Sequence, residues 1–101
     1  MSNITGTVRA KIAQGKTPKN YNNITVATVE SSQLLSAGTK QFIIRARGNS
    51  EIKYAWVATE TTSNFITVPK GTTRAIENLD FTGTIYFQTN VADVVEIEEW
   101  V

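Results

Sequence analysis

Glu51-Ile52-Lys53-Tyr54-Ala55-Trp56-Val57-Ala58 alternates strictly, so that Ile52, Tyr54 and Trp56 project to one side of an extended chain. A period of two means a sheet. Just upstream, Phe42-Ile43-Ile44-Arg45-Ala46-Arg47 reads as a partner strand, and Gly48-Asn49-Ser50 offers small, turn-competent residues to close a hairpin between the two.

The pattern spreads in both directions from this pair. Downstream, Asn64 to Val68 is a short β-branched run ended by Pro69-Lys70-Gly71, and another strand begins near Thr72. Thr84-Ile85-Tyr86-Phe87-Gln88-Thr89 follows a Thr82-Gly83 break, and Val94 to Val101 alternates apolar and acidic positions, which predicts a last strand half buried at best. Upstream, Val8, Ala10 and Ile12 oppose Arg9 and Lys11, and Ile24 to Val29 is a second β-branched run. Between them, Gln14 to Asn23 carries Gly15, Pro18, Asn20, Asn22 and Asn23 and reads as a loop. Only Ser31 to Ala37 has the character of a helical turn, and it is too short to form a layer. About eight strand-like runs spaced by roughly 8–12 residues predict an all-β chain, a single antiparallel β-sandwich or jelly-roll-like domain. Residues 1–101 form that one domain, with 1–23 as a basic strand and loop arm.

Composition sets limits on function. The chain has 101 residues, 41% of them hydrophobic, which supports one modest core. Ten Lys and Arg against nine Asp and Glu give a net charge of +1, too near neutral to attract a polyanion through the overall field, so no specific nucleic acid is expected as partner. The chain has no histidine and no cysteine. That removes the commonest general base, the thiolate nucleophile and most transition-metal ligands. Asp80 and Asp93 sit beside turn residues and are expected to face water rather than to act as a carboxylate pair. The acidic end, with Asp93, Glu96, Glu98 and Glu99, lacks the spacing of a calcium loop, because Glu96 and Glu98 share one face while Glu99 takes the other. No catalytic residue, cofactor or metal is therefore expected. No positively charged start leads into an apolar run, and no stretch approaches the roughly 20 apolar residues of a membrane span, so membrane insertion is not expected either.

Charge is distributed unevenly along the chain. Residues 1–29 hold Arg9, Lys11, Lys16 and Lys19 and no acid, whereas residues 93–101 hold four acids and no base. Two arrangements follow: the ends pair within one molecule, or a basic arm lies against an acidic neighbour. Trp100 shares strand parity with Glu96 and Glu98, and a tryptophan on a charged face points to a contact site. Arg9, Lys11, Lys16, Lys19 and Trp100 are the candidate partner contacts.

The half of the chain from Tyr54 to Val101 also resembles a known group. Trp56-Val57-Ala58-Thr59, Phe65-Ile66-Thr67-Val68-Pro69-Lys70-Gly71, Asn78-Leu79-Asp80-Phe81, Ile85-Tyr86-Phe87-Gln88 and Val95-Glu96-Ile97-Glu98-Glu99-Trp100 are similar in strand and turn vocabulary to small β-sandwich virion structural proteins of tailed bacteriophages. That resemblance implies a non-enzymatic head decoration or cement protein, homo-oligomeric on the particle. It would be assembled in the host bacterial cytoplasm and bound on the capsid surface to the major capsid protein or another virion protein. The alternative is a carbohydrate- or host-surface-binding module on a phage fibre or tail.

Overall fold

The computed structural model describes residues 16–101. Eight strands lie among them: β1 (Pro18–Thr25), β2 (Ser31–Leu34), β3 (Gln41–Ala46), β4 (Ile52–Ala55), β5 (Ile66–Val68), β6 (Thr73–Ile76), β7 (Thr84–Thr89) and β8 (Asp93–Trp100). A 3-10 turn, Glu60–Thr62, stands between β4 and β5. The strands form two four-stranded antiparallel sheets, ordered β1-β8-β3-β6 and β2-β7-β4-β5. This is the expected all-β sandwich, and its strand order makes it a jelly roll. The bent pair β3–β4 and β5–β6 nests inside the bent pair β1–β2 and β7–β8, with each arm crossing from one sheet to the other.

Alternation builds the core. The central strands of the two sheets each send two apolar side chains inward: Phe42 and Ile44 from β3, Val95 and Ile97 from β8, Ile52 and Tyr54 from β4, Ile85 and Phe87 from β7. None is more than 1% exposed. Trp56 follows the parity of Ile52 and Tyr54 just past the end of β4, and its ring packs edge-on to Phe42 and Tyr54 and tilted on Phe81.

The sequence-based expectations fail wherever a connection crosses the sandwich. The expected hairpin between Phe42–Arg47 and Glu51–Ala58 does not form, because β3 and β4 belong to opposite sheets. Of all consecutive strands only β4 and β5 are neighbours. Asp93 sets the crossing: its carboxylate accepts the Gly48 N–H at 2.8 Å and the Ser50 hydroxyl at 2.6 Å, which carries residues 48–50 across the end of the sheet. A flat hairpin would have left the apolar sides of β3 and β4 in one layer with nothing opposite. The Pro69–Thr72 turn also crosses, with Gly71 at φ +77° and the Thr72 N–H bonded to the Pro69 carbonyl.

The expected loop from Gln14 to Asn23 is corrected for the residues described. Residues 18–23 belong to β1, which pairs with β8 from Pro18 opposite Trp100 to Thr25 opposite Asp93. Ladder pairing and the inward turn of Tyr21 outweigh the poor strand propensity of the asparagines. Pro18 is tolerated because it opens an edge strand. Residues 31–34 form β2 rather than a helical turn, held by β7. The C-terminal strand, expected half buried, runs through the middle of its sheet, with Val95, Ile97 and Glu99 sealed inside.

Removing side-chain volume on the two sides of β3 should therefore have unequal effects. Ile44→Ala is expected to lower the unfolding free energy by about 2–5 kcal/mol, and Ile43→Ala, on the outer side of the same strand, by less than half as much. Urea unfolding of the two variants measures the difference.

Candidate binding surface

The two sheets differ in what covers their outer faces. Over the sheet β2-β7-β4-β5, the β4–β5 connection folds back as a lid. The Glu30 carboxylate accepts the Thr61 hydroxyl at 2.6 Å and the Thr59 N–H at 2.8 Å, the latter from a residue held at φ +70°. Gln88 of β7 in turn donates to the Thr61 carbonyl and hydroxyl. No comparable lid lies over the sheet β1-β8-β3-β6 among the described residues.

That open face is laid out in cross-strand rows. Pro18, Trp100 and Gln41 form one, Asn20, Glu98, Ile43 and Ala75 the next, and Asn22, Glu96, Arg45 and Thr73 the third. A shallow depression of about 550 Å³ follows the second and third rows. The Arg45 and Arg47 Nε–H groups donate to the two oxygens of Glu96, at 2.7 and 2.8 Å, so the third-row carboxylate is held between two guanidinium groups. The Trp100 Nε1–H donates to the Glu98 Oε1 at 3.2 Å, which fixes the orientation of the indole.

At the far end of the same sheet, Thr25 and Thr89 share a hydrogen bond at 2.6 Å, and Thr25 also donates to the Asp93 carbonyl. Within two residues of this node stand Ile24, 83% exposed, Val26, 62% exposed, Val91 and Val94. Ile24 and Val94 are direct cross-strand partners. Exposed aliphatic side chains close together in this way are a candidate contact surface.

The candidate contacts named from sequence do not form one patch. Arg9 and Lys11 lie outside the described residues. Lys16 and Lys19 are exposed, and neither makes an ion pair among the described residues. The Lys16 N–H donates to the Val101 carbonyl, and the Lys19 ammonium sits 5.2 Å from the centre of the Tyr21 ring. Lys19 has the parity of the inward side of β1, while Trp100 faces outward with Glu96 and Glu98 as expected. Within the described residues the basic and acidic ends do pair along the β1–β8 ladder, but through backbone and aromatic contacts rather than lysine–carboxylate pairs.

Glu99 was expected on the face opposite Glu96 and Glu98 and is found there, but it is fully buried rather than solvated. Its Oε1 accepts the Tyr21 hydroxyl at 3.0 Å and the Ser36 N–H at 2.9 Å, and its Oε2 has no hydrogen-bond partner. The carboxylate thus ties β1 and the β2–β3 connection to β8. Asp80 does face water, paired at 3.1 Å with Lys40, whereas Asp93 is taken up by the crossing at Gly48 and Ser50. Sequence reasoning missed the asparagine pair and the Arg–Glu–Arg cluster. Parity places Arg45 with Arg47 and Glu96 with Glu98, but the register joining positions about fifty residues apart has no local signal.

No family model matches the chain, and neither does any curated protein. Among solved structures, it is similar to a de novo designed double-stranded β-helix, with 15% identity over 84% of this chain and 97% of that one and a TM-score of 0.45. It is also similar to a chain from the disulfide-linked pili of Bacillus endospore appendages, with 11% identity over 84% and 86% of the two chains and a TM-score of 0.47.

Three surface carboxylates are held below the usual carboxyl range. Desolvation pushes Asp93 up, but bonds from the Ser50 hydroxyl and the N–H groups of Val94, Gly48 and Ser50 outweigh it. Desolvation likewise raises Glu30, and its bonds from Thr61 and Thr59 outweigh that. Glu96 is lowered chiefly by its hydrogen bonds from Arg47 and Arg45. Because the unfolded chain titrates these groups at about pH 4, their stabilisation is fully present above that range and is lost as pH falls through the lower folded values. The urea midpoint should hold steady from about pH 7 to 5 and fall below about pH 4. Asp93→Asn should lower the neutral-pH midpoint and flatten the acid fall.

Proposed function

We propose that this chain is a non-enzymatic structural protein of a tailed-bacteriophage particle, a decoration or cement protein that binds the capsid shell and ties neighbouring shell subunits together. The observation that carries the reading is the aliphatic group at the Thr25–Thr89 end of the sandwich, with Ile24, Val26 and Val91 open to water, Val94 half-buried beside Ile24, and the Thr25–Thr89 hydrogen bond behind them. Such a surface gains by burial against another protein. The resemblance of residues 54–101 to small phage β-sandwich proteins supplies the partner, the major capsid protein or another virion protein.

A decoration protein performs no bond chemistry; it raises the cost of separating the subunits it spans. Repetition around a shell turns modest single contacts into a strong collective hold. Carboxylates spent on internal bonds suit this role, since Glu30, Asp93 and Glu99 keep the loops and the first strand fixed while the apolar end docks. Lys16 and Lys19, at the opposite end of β1, are the second contact candidates.

Co-sedimentation with phage shells lacking the chain tests the proposal. Saturable attachment that raises the temperature of shell disruption is expected. An Ile24→Asp/Val26→Asp variant that remains folded should bind at least about tenfold more weakly, the equivalent of one or two lost apolar contacts. Absence of attachment by the folded wild-type chain would overturn the proposal. Wild-type binding by Lys16→Glu/Lys19→Glu would remove the lysines from the contact.

A further inference from the structure

We infer that the open face of the sheet β1-β8-β3-β6 is a binding site for an uncharged sugar chain, with Trp100, Asn20, Asn22 and Glu98 as its principal contacts. The inference concerns a different surface from the shell-docking end and does not depend on the shell.

The chemistry of the face selects the ligand class. A sugar hydroxyl both donates and accepts, and the best partners for it are planar groups that do the same or that offer two sites side by side. Asn20 and Asn22 present two exposed carboxamides on successive outward positions of β1, and neither is bonded to another described residue. Across the ladder Glu98 has one oxygen engaged by Trp100 and the other without a hydrogen bond from a described residue, and Glu96 is flanked by its two arginines. Donors and acceptors therefore line a shallow depression of about 550 Å³ in adjoining rows.

Trp100 adds the second requirement, a flat apolar surface against which the C–H side of a sugar ring can lie. Its indole is half-buried in the row that borders Asn20 and Glu98, between Pro18 and Gln41. The hydrogen bond from Nε1 to Glu98 holds the ring before any ligand arrives, which reduces the ordering cost of binding. An aromatic surface beside a few convergent polar groups is the usual composition of a small-ligand site.

Other occupants match the face less well. A polyanion would need excess positive charge, and here Arg45 and Arg47 both pair with Glu96 while Glu98 stands in the adjoining row, so two positive side chains face two negative ones. A protein partner would need to desolvate all four of these charged side chains at the centre of its interface, where charged residues are normally depleted. A neutral polyhydroxylated chain needs neither.

The test uses the full chain on an array of neutral, sialylated and sulfated oligosaccharides, followed by titration of tryptophan fluorescence with the bound neutral sugar. Binding to at least one uncharged oligosaccharide is expected. Asn20→Ala/Asn22→Ala, two changes at exposed positions, should weaken it about tenfold with an unchanged melting temperature, and Trp100→Ala should abolish it together with the fluorescence change. Binding to no uncharged sugar, binding to sulfated sugars alone, or wild-type affinity in the asparagine double variant would each overturn the inference. Because no shell is present in this experiment, its failure leaves the decoration role to be decided by co-sedimentation.

Discussion

The pairing of β8 on both sides, with β1 and with β3, is the constraint on which the rest of the structure depends. Eight residues long, this strand sends Val95, Ile97 and Glu99 into the core and Glu96, Glu98 and Trp100 to the outside. Its first residue, Asp93, holds the crossing at Gly48–Ser50, and Glu99 near its end holds Tyr21 and Ser36. One strand thereby fixes the edge strand β1, the connection from β2 to β3 and the passage from β3 to β4. Burying an acid at Glu99 with one oxygen unsatisfied carries a cost in stability, which the ties to β1 and to the β2–β3 connection partly offset.

The same strand creates the asymmetry between the two outer faces. Glu30 and Gln88 tie the β4–β5 connection down over one face, and their own polar groups are paired in doing so. On the other face, β8 brings acids between the asparagines of β1 and the arginines of β3, and it leaves Trp100 at the margin. Apolar side chains stand instead at the end of the sheet, around Ile24 and Val94.

Strand identity was legible where the alternation was clean. The run from Thr84 to Thr89 coincides with β7, and the inward parity of Ile52, Tyr54 and Trp56 and the outward parity of Trp100 follow from period two alone. Strand order was not legible, because Gly48-Asn49-Ser50 has the composition of a hairpin turn and only the distant Asp93 makes it a crossing. Residues 18–23 looked like a loop because asparagine and proline disfavour strands, and their pairing with β8 is a tertiary effect. Burial of Glu99 was hidden for the same reason: parity put it on the inner face, but the tyrosine whose hydroxyl donates to it lies 78 residues away. The binding face was legible only in part, since Trp100 stood out by its parity while Asn20 and Asn22 were read as loop residues.

The central claim, that β8, paired on both sides and tied at both ends, organises the sandwich, is tested most directly by residue-resolved amide hydrogen exchange under native conditions. The account predicts that the amides of Val95 to Glu99 exchange only through global unfolding, with protection exceeding that of the edge strand β6. Exchange of those amides by local opening, at or above the rate found in β6, would contradict it.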